Sequence, residues 1–330
     1  MNGVIIVDKP AGWTSHDVVN RMRRILGQRS VGHLGTLDPL ATGVLPLVTG
    51  SLTRLAQFYT ASEKKYEGVI RFGFATDTYD ADGEATSEPH PVTLTLDQLQ
   101  QLAAAFLGLI EQMPPPFSAK KIHGVPAYKL ARKQKEVVLQ PVQVEVKEFV
   151  ITSIDADRAH FRARVASGTY MRSIAHEMGQ RLGCGAHLES LRRTAVAEFE
   201  IAQAHTLEEI EFCKAQLANT CHSERVRANV SVAGHNINAL DPSKAPDATE
   251  TRSVESLFVH PRKLLPQLPS VTADEPTTAR IRSGRSINLP ELSRARQVKV
   301  FAGQSELIAI ATRVAGTLFH PKIVFPADEM

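Results

Sequence analysis

Alternating apolar and polar residues mark the strands of this chain. Residues 3–8 (GVIIVD) form a short apolar run bounded by a Lys-Pro turn, a pattern that is typical of a buried strand. Residues 66–74, 142–151 and 159–165 carry side chains that alternate between two faces, which predicts three further strands, the last two as a hairpin-like pair. Together these segments predict a β-sheet.

Helical periodicity marks three other segments. The helices are expected over residues 15–26, 96–107 and 170–182, with Thr14, Thr95 and Thr169 as their N-caps. Gly27 and Gly108 are expected to end the first two, because glycine readily adopts the left-handed conformation that closes a helix. The first helix carries three arginines on its polar face, which are Arg21, Arg23 and Arg24.

The same patterns divide the chain into three parts. Residues 1–210 contain the predicted strands and helices and form a mixed α+β domain. Residues 211–256 are polar and lack sustained periodicity, so that we expect a linker or insertion there. Short strand patterns return in residues 257–330, which predicts a small β-rich module.

Composition and charge narrow the class of protein and its expected location. The chain has 330 residues, 43% of them hydrophobic and 22% charged, as in ordinary globular proteins. The formal net charge of +3 is weak evidence for a polyanionic partner. Three cysteines without a regular framework favour a reducing compartment. No signal peptide and no long apolar run are visible, so we expect a cytoplasmic protein that does not enter a membrane.

Two residues stand out as candidates for chemistry. Asp38 is the one carboxylate in GHLGTLDPLATGVLP (residues 32–46), a tight and largely apolar stretch. It either starts a turn, as Asp before Pro often does, or is catalytic. Arg172 falls in the first turn of the third helix, where a cation opposes the helix dipole. Either it pairs with a carboxylate in a cleft or it lies on a solvated helix end, and the pattern alone leaves both possibilities open.

Basic residues form two further candidate sites. One combines lysines and arginines with aromatic residues in a projecting segment between residues 113 and 136, and the other is Arg192-Arg193. Such a mixture suits phosphate contact with base stacking, although a solvated charged face has a similar pattern. The residues expected to contact the phosphates of a nucleic acid are Lys120, Lys121, Lys129, Arg132, Arg192 and Arg193.

The sequence segments that could bind a metal or a cofactor lack the residue spacing that such sites require. DTYDADGE (residues 77–84) does not place the ligands of a calcium loop correctly, and HE at residues 176–177 lacks a second histidine at residue 180. Cys213, Cys221 and His222 lack zinc-ligand spacing. No Walker or dinucleotide-binding glycine motif is found either. We therefore expect no metal and no cofactor.

Five segments of the chain resemble the motifs of one known family. Residues 32–46 closely resemble the signature of the TruB family of tRNA pseudouridine synthases, which modify uridine 55 in the TΨC arm. Four more segments resemble family motifs in the same order: residues 3–19 (GVIIVDKPAGWTSHDVV), 64–84 (KKYEGVIRFGFATDTYDADGE), 114–132 (PPPFSAKKIHGVPAYKLAR) and 167–196 (SGTYMRSIAHEMGQRLGCGAHLESLRRTAV). Two departures are Leu34, where the family usually has threonine, and the long polar segment after residue 210.

The resemblance implies roles for particular residues. It makes Asp38 the catalytic nucleophile, Tyr66 the ring that stacks on the target base, and Arg172 the partner of Asp38. Substrate-binding residues would be His33, Tyr66, Tyr170 and Leu191, with Lys9 and Pro10 supporting the pocket floor. It also implies a pseudouridine-synthase-like, mainly antiparallel mixed sheet with flanking helices, and a PUA-like RNA-binding module in residues 257–330.

The expected activity is isomerisation of uridine 55 by a monomer that needs no protein partner. Two other hypotheses stay open at this stage. One is an inactive RNA-binding protein or tRNA folding chaperone, and the other is a guide-RNA-dependent synthase acting on ribosomal RNA.

Overall fold

The computed structural model describes residues 1–117, 121–122, 125–126, 140–216 and 253–327. Its helices are α1 (Ser15–Leu26), α2 (Ala56–Tyr59), α3 (Leu96–Ala104), α4 (Met171–Leu182), α5 (residues 207–216) and α6 (Glu275–Arg282). None of the helices in these ranges is long and apolar enough to cross a lipid bilayer.

Ten strands form the larger sheet. They are β1 (Gly3–Lys9), β2 (Val31–His33), β3 (Thr42–Thr49), β4 (Lys64–Phe72), β5 (Gly108–Gln112), β8 (Val142–Asp155), β9 (Arg158–Val165), β10 (Ala186–Val196), β11 (Phe199–Glu200) and β12 (Phe258–Val259). The order of its main path is β12-β1-β3-β10-β4-β9-β8-β5. A separate short pair is formed by β6 (Lys121–Ile122) and β7 (Val125–Pro126).

The pairing in the larger sheet is antiparallel except between β3 and β10. That parallel contact joins Arg192 to Thr42 and Arg193 to Gly43. It brings the start of β3, directly after the loop that carries Asp38, against the middle of the sheet. The predicted α+β class with a mainly antiparallel sheet is confirmed.

Strand β1 is buried on both of its faces, which explains its continuous apolar sequence. Ile5 and Val7 belong to the main core, where α1, α3 and α4 cover one face of the sheet. Val4 and Ile6 point the other way, into a second core that also contains Phe301 from the C-terminal module. The two parts of the chain therefore share a hydrophobic core.

The C-terminal module is a five-stranded sheet beside α6. Its strands are β13 (Ser270–Ala273), β14 (Ile287–Asn288), β15 (Gln297–Ala302), β16 (Glu306–Ala315) and β17 (Leu318–Val324). A polar link fixes it to the larger domain, because Glu198 accepts hydrogen bonds from the Tyr59 hydroxyl at 2.6 Å and from the Leu265 backbone N–H at 2.8 Å.

Several predicted boundaries shift. Residues 258–259 pair with β1 and so belong to the larger sheet rather than to the C-terminal module. Residues 211–216 continue α5, which begins at a capping box of Thr206 and Glu209, instead of forming a linker. Helix α3 ends at Ala104, before the predicted residue 107. The capping boxes at Thr14 and Thr95 and the C-cap at Gly27 are confirmed.

The predicted cap of α4 is wrong. Tyr170 occupies the N-cap position and its side chain does not cap the helix, and the Thr169 hydroxyl donates to the Ala166 carbonyl at 3.0 Å. Gln112, on the adjacent β5, holds Tyr170 instead: its carbonyl accepts from the Tyr170 N–H at 2.8 Å and its amide donates to the Tyr170 carbonyl at 3.0 Å. A contact distant in sequence thus replaces the local cap.

Candidate active site

The loop between β2 and β3 carries Asp38 and is held by side chains from β1 and α1. Ser15 Oγ accepts from the Leu37 N–H at 2.8 Å and donates to the Leu37 carbonyl at 3.0 Å. Lys9 Nζ donates to the carbonyl of Pro39 at 3.1 Å and also to those of Pro10 and Trp13. Both residues that flank Asp38 are therefore held in place, and the expected role of Lys9 at the pocket floor stays a prediction.

Arg193 anchors the same loop from the side of the sheet. Its guanidinium donates to the carbonyls of Val44 at 2.8 Å, Thr36 at 3.1 Å and Gly35 at 3.0 Å. The side chain has no solvent exposure. The prediction that Arg193 contacts RNA is therefore wrong for this structure, because its donors are used inside the protein.

Asp38 meets Arg172 across the cleft. The Nε atom of Arg172 lies 2.9 Å from Oδ2 of Asp38, and the Arg172 side chain is only 5% exposed whereas that of Asp38 is 38% exposed. Within the described residues that Nε has no aligned hydrogen-bond acceptor, so the attraction is chiefly between opposite charges. Of the two possibilities for Arg172, the structure supports the buried partner of a carboxylate.

A second carboxylate shares this arginine. Asp80 is buried, and its Oδ2 lies 3.4 Å from Nη1 of Arg172. Its other oxygen accepts hydrogen bonds from the Thr78 hydroxyl at 2.6 Å and from the Asp82 N–H at 3.2 Å. Arg172 also donates to the carbonyls of Thr78 and Phe117, so that the guanidinium is held in one orientation.

The charges around Asp38 act in opposite directions. Burial raises the pKa of the Asp38 carboxyl above its ordinary value, and the Arg172 guanidinium is the strongest influence that lowers it again. The neighbouring Asp80 carboxylate raises the pKa of Asp38 further. The ionised form of Asp38 therefore depends on Arg172.

The substrate-binding residues predicted around Asp38 lie together. His33, Tyr66, Tyr170 and Leu191 all line one cavity of about 400 Å³ with Asp38. Burial and the nearby Arg193 lower the pKa of His33, which keeps its imidazole neutral near pH 7. Among the described residues the cavity is thus lined by aromatic, aliphatic and hydroxyl side chains and by two cations, with Asp38 as its one acid.

Sequence reasoning missed three polar residues of this site. Asp80 lies in the DTYDADGE segment, which the sequence excludes as a calcium loop and places at the end of a family-like motif, with no role for Asp80 itself. Gln112, which holds Tyr170, and Lys64, which lines the cavity, gave no sequence signal.

Arg192 is half-exposed and forms a two-oxygen ion pair with Asp8, at 3.1 and 2.7 Å.

The other predicted RNA contacts lie outside the described residues. These are the side chains of Lys120, Lys121, Lys129 and Arg132.

Comparisons with known proteins agree with this geometry. The N-terminal domain model of the TruB family pseudouridylate synthases matches residues 23–171, and the C-terminal domain model of tRNA pseudouridylate synthase B matches residues 172–231. The second match crosses residue 210, where the sequence predicts the end of the catalytic domain. The three-part domain division stays a prediction.

Two curated relatives and one solved structure illustrate the likeness. The chain is 47% identical over 327 residues to tRNA pseudouridine synthase B of Solibacter usitatus, covering 98% of this chain and 100% of that protein. It is 48% identical over 211 residues to the protein of the same name from Opitutus terrae, covering 64% and 88%. An H/ACA ribonucleoprotein bound to a substrate RNA containing 2′-deoxyuridine has a similar fold, with TM-score 0.64 and 22% identity over 99% of this chain and 86% of that one.

Two findings lead to one assignment: the family models together match more than half of the chain, and one relative aligns along almost its whole length. The chain belongs to the TruB family of pseudouridine synthases and is an isomerase.

Proposed function

We propose that this protein converts uridine 55 in the TΨC arm of tRNA to pseudouridine, with Asp38 as the nucleophile. The observation that carries the proposal is the ion pair of Asp38 with the buried Arg172 at the edge of a cavity lined by Tyr66. The relatives named tRNA pseudouridine synthase B support tRNA as the substrate, and a tRNA substrate supports the expected cytoplasmic location.

The reaction breaks the N1–C1′ glycosidic bond, turns the uracil and joins C5 to C1′. The C5 proton leaves and N1 gains a proton, so that the product is an isomer of the substrate. Asp38 starts the reaction either by attacking C1′ or by removing a ribose proton to give a glycal, and both routes need its carboxylate ionised. Most enzymes that hydrolyse glycosidic bonds between sugars place two carboxylates beside the bond. A single acid at the cavity fits an enzyme that retains the uracil.

The target uridine has to leave the folded RNA arm to reach Asp38, as base-modifying enzymes generally require. Tyr66 supplies an aromatic face for the everted uracil, and its hydroxyl assists removal of the C5 proton. His33, which lines the same cavity, fills the space left by the base. Leu191 and Tyr170 keep water away from the reacting atoms.

Arg172 keeps Asp38 reactive. A carboxyl in an apolar cavity tends to take up a proton, and an adjacent cation favours the ionised form. Because Arg172 is fixed by Asp80, Thr78 and Phe117, its charge is already oriented before the substrate binds. Such fixed charges cost no reorganisation during the reaction.

The test is a modification map of one unmodified tRNA transcript. After incubation with the protein alone, carbodiimide labelling and reverse transcription should report pseudouridine at position 55 and at no other uridine. A transcript with cytidine 55 is the matched control. Binding without modification would support an RNA chaperone, and modification only when a guide RNA is added would support the guide-dependent class. Either result would overturn the proposal.

A further inference from the structure

A buried cation at the cavity has no acidic partner. Lys64 lines the same cavity as Asp38 and Tyr66, and only 9% of it is exposed. Its Nζ donates to the Ser62 carbonyl at 2.6 Å. Among the described residues no carboxylate lies within ion-pairing distance of Nζ, although Lys, Asp and Glu are almost never fully buried unless paired. The unusual burial of this charge requires an explanation.

A second cation lies beside it. A side-chain carbon placed on Gly35 would lie 3.7 Å from Nη1 of Arg193 and 3.9 Å from Cε of Lys64, so that both side chains border the same stretch of the catalytic loop. The Arg193 guanidinium donates to neutral main-chain carbonyls, and burial lowers its pKa although Tyr66 and the Asp38 carboxylate partly offset that effect. Burial, and then the charge of Arg193, lower the pKa of Lys64 to about 8. An anion at this position would relieve both costs.

The position of Lys64 relative to Tyr66 points to the kind of anion. Side chains two residues apart on a strand lie on the same face, and the rise of ~3.3 Å per residue separates them by about 6.6 Å along β4. That separation is of the size of one nucleotide. A base stacked on Tyr66, with its ribose near Asp38, would bring its own phosphodiester towards Lys64.

We propose that Lys64, supported by Arg193, binds a backbone phosphate of the everted nucleotide. The inference deepens the proposed function and rests on it. Lys64 would act as a specificity residue, because its ammonium group binds a base only when that base is part of a polynucleotide with a backbone phosphate. The same contact would hold the ribose against Asp38. One of the three ammonium donors is used by Ser62, which leaves two for phosphate oxygens.

The experiment measures binding of a TΨC stem-loop RNA to the full chain. All proteins carry Asp38→Asn, so that no turnover occurs, and Kd is measured from about 50 to about 300 mM salt. Lys64→Met removes the charge, Lys64→Arg keeps it, and Lys65→Met is the matched control because Lys65 is the exposed neighbour on the opposite face of β4. Thermal unfolding of each variant confirms that it is folded.

Lys64→Met should raise Kd about 10- to 100-fold at the lowest salt. It should also reduce the slope of log Kd against log salt by about 0.7, the value for one single-strand phosphate contact. Lys64→Arg should restore most of the affinity and the slope, and Lys65→Met should change neither. Weaker binding with an unchanged slope would overturn the proposal, as would an equal loss of slope in Lys65→Met.

These outcomes stay separate from those of the proposed function. If the protein with Asp38 intact modifies uridine 55 but Lys64→Met keeps the full salt slope, only the phosphate contact is wrong. If that protein leaves uridine 55 unchanged, the proposed function fails first, whatever Lys64 binds.

Discussion

The charge of Arg172 should set the pH at which the enzyme loses activity in acid. Under the proposed function Asp38 has to be ionised for either route of the reaction, and Arg172, 2.9 Å away, is the strongest influence that keeps it so. As pH falls, Asp38 takes up a proton and kcat/KM declines. Because burial raises the pKa of Asp38, this decline should begin above the ordinary range of an aspartate.

The size of the effect follows from the distance. A unit charge within about 4–6 Å of a carboxylate lowers its pKa by about 1–3 units. Arg172→Ala should therefore move the acid limb of kcat/KM upward by about 1–3 pH units. At a pH below both limbs the rate should be about 10- to 1000-fold lower than that of the unaltered protein, since each unit corresponds to a factor of ten. Arg172→Lys keeps a positive charge and should shift the limb less.

Asp80 provides a control of opposite sign. Its carboxylate raises the pKa of Asp38, so Asp80→Asn should move the acid limb downward. The assay is tritium release from tRNA labelled at C5 of uridine, recorded from about pH 5 to about pH 9, because kcat/KM reports the groups of the free enzyme. A uniform loss of rate in Arg172→Ala at every pH, with the limb unmoved, would refute the electrostatic role. Thermal unfolding has to accompany these measurements, because Arg172→Ala leaves Asp80 buried without its cation.

Three further predictions follow from other contacts. Arg193→Met should lower the free energy of unfolding, measured by urea titration, by about 3 kcal/mol or more, because three carbonyls lose their donor. Arg192→Met is the control. Because the ion pair of Arg192 is half-exposed, this variant should lose at most about 1 kcal/mol in the same titration. Tyr66→Phe should lower kcat while Kd for the stem-loop RNA stays within about twofold, since the stacking face remains; an unchanged kcat would exclude a role for the hydroxyl. Phe301→Ala should destabilise the whole chain by about 3–5 kcal/mol in one calorimetric transition, because Phe301 packs in the core shared with β1; an early separate transition of the C-terminal module would contradict that.

Local sequence signals predicted the elements that depend on neighbouring residues. The capping box at Thr14, the closing Gly27 and the hairpin of β8 and β9 are confirmed because each is encoded within a few residues. Helix α4 differs at its start because Gln112, distant in sequence, satisfies the backbone of Tyr170. A long-range contact of this kind leaves no pattern near Thr169.

The candidate site divides in the same way. The dipole argument identified Arg172 as a cation in an unfavourable place and left open either a carboxylate partner or a solvated helix end, and the structure supplies the carboxylate. The second partner, Asp80, could not be predicted, because only the fold brings its loop to α4. Arg193 was misjudged because adjacent arginines on a strand point to opposite faces, so that one is half-exposed and the other buried.

One departure from the family pattern also becomes intelligible. Leu34 takes the position of the usual threonine, and in this fold its side chain is 4% exposed within the second core. An apolar residue there joins the catalytic loop to the packing that also contains the C-terminal module. The substitution therefore leaves the nucleophile unchanged and adds a hydrophobic contact beneath the loop.

The most direct measurement compares Asp38→Asn with the unaltered protein on one RNA. Both should bind a TΨC stem-loop containing uridine 55 with similar Kd, because the amide keeps the shape of the side chain. The unaltered protein should release tritium from C5 of that uridine in single turnover, and Asp38→Asn should release none. Tritium release by the variant at a comparable rate would mean that another group performs the chemistry.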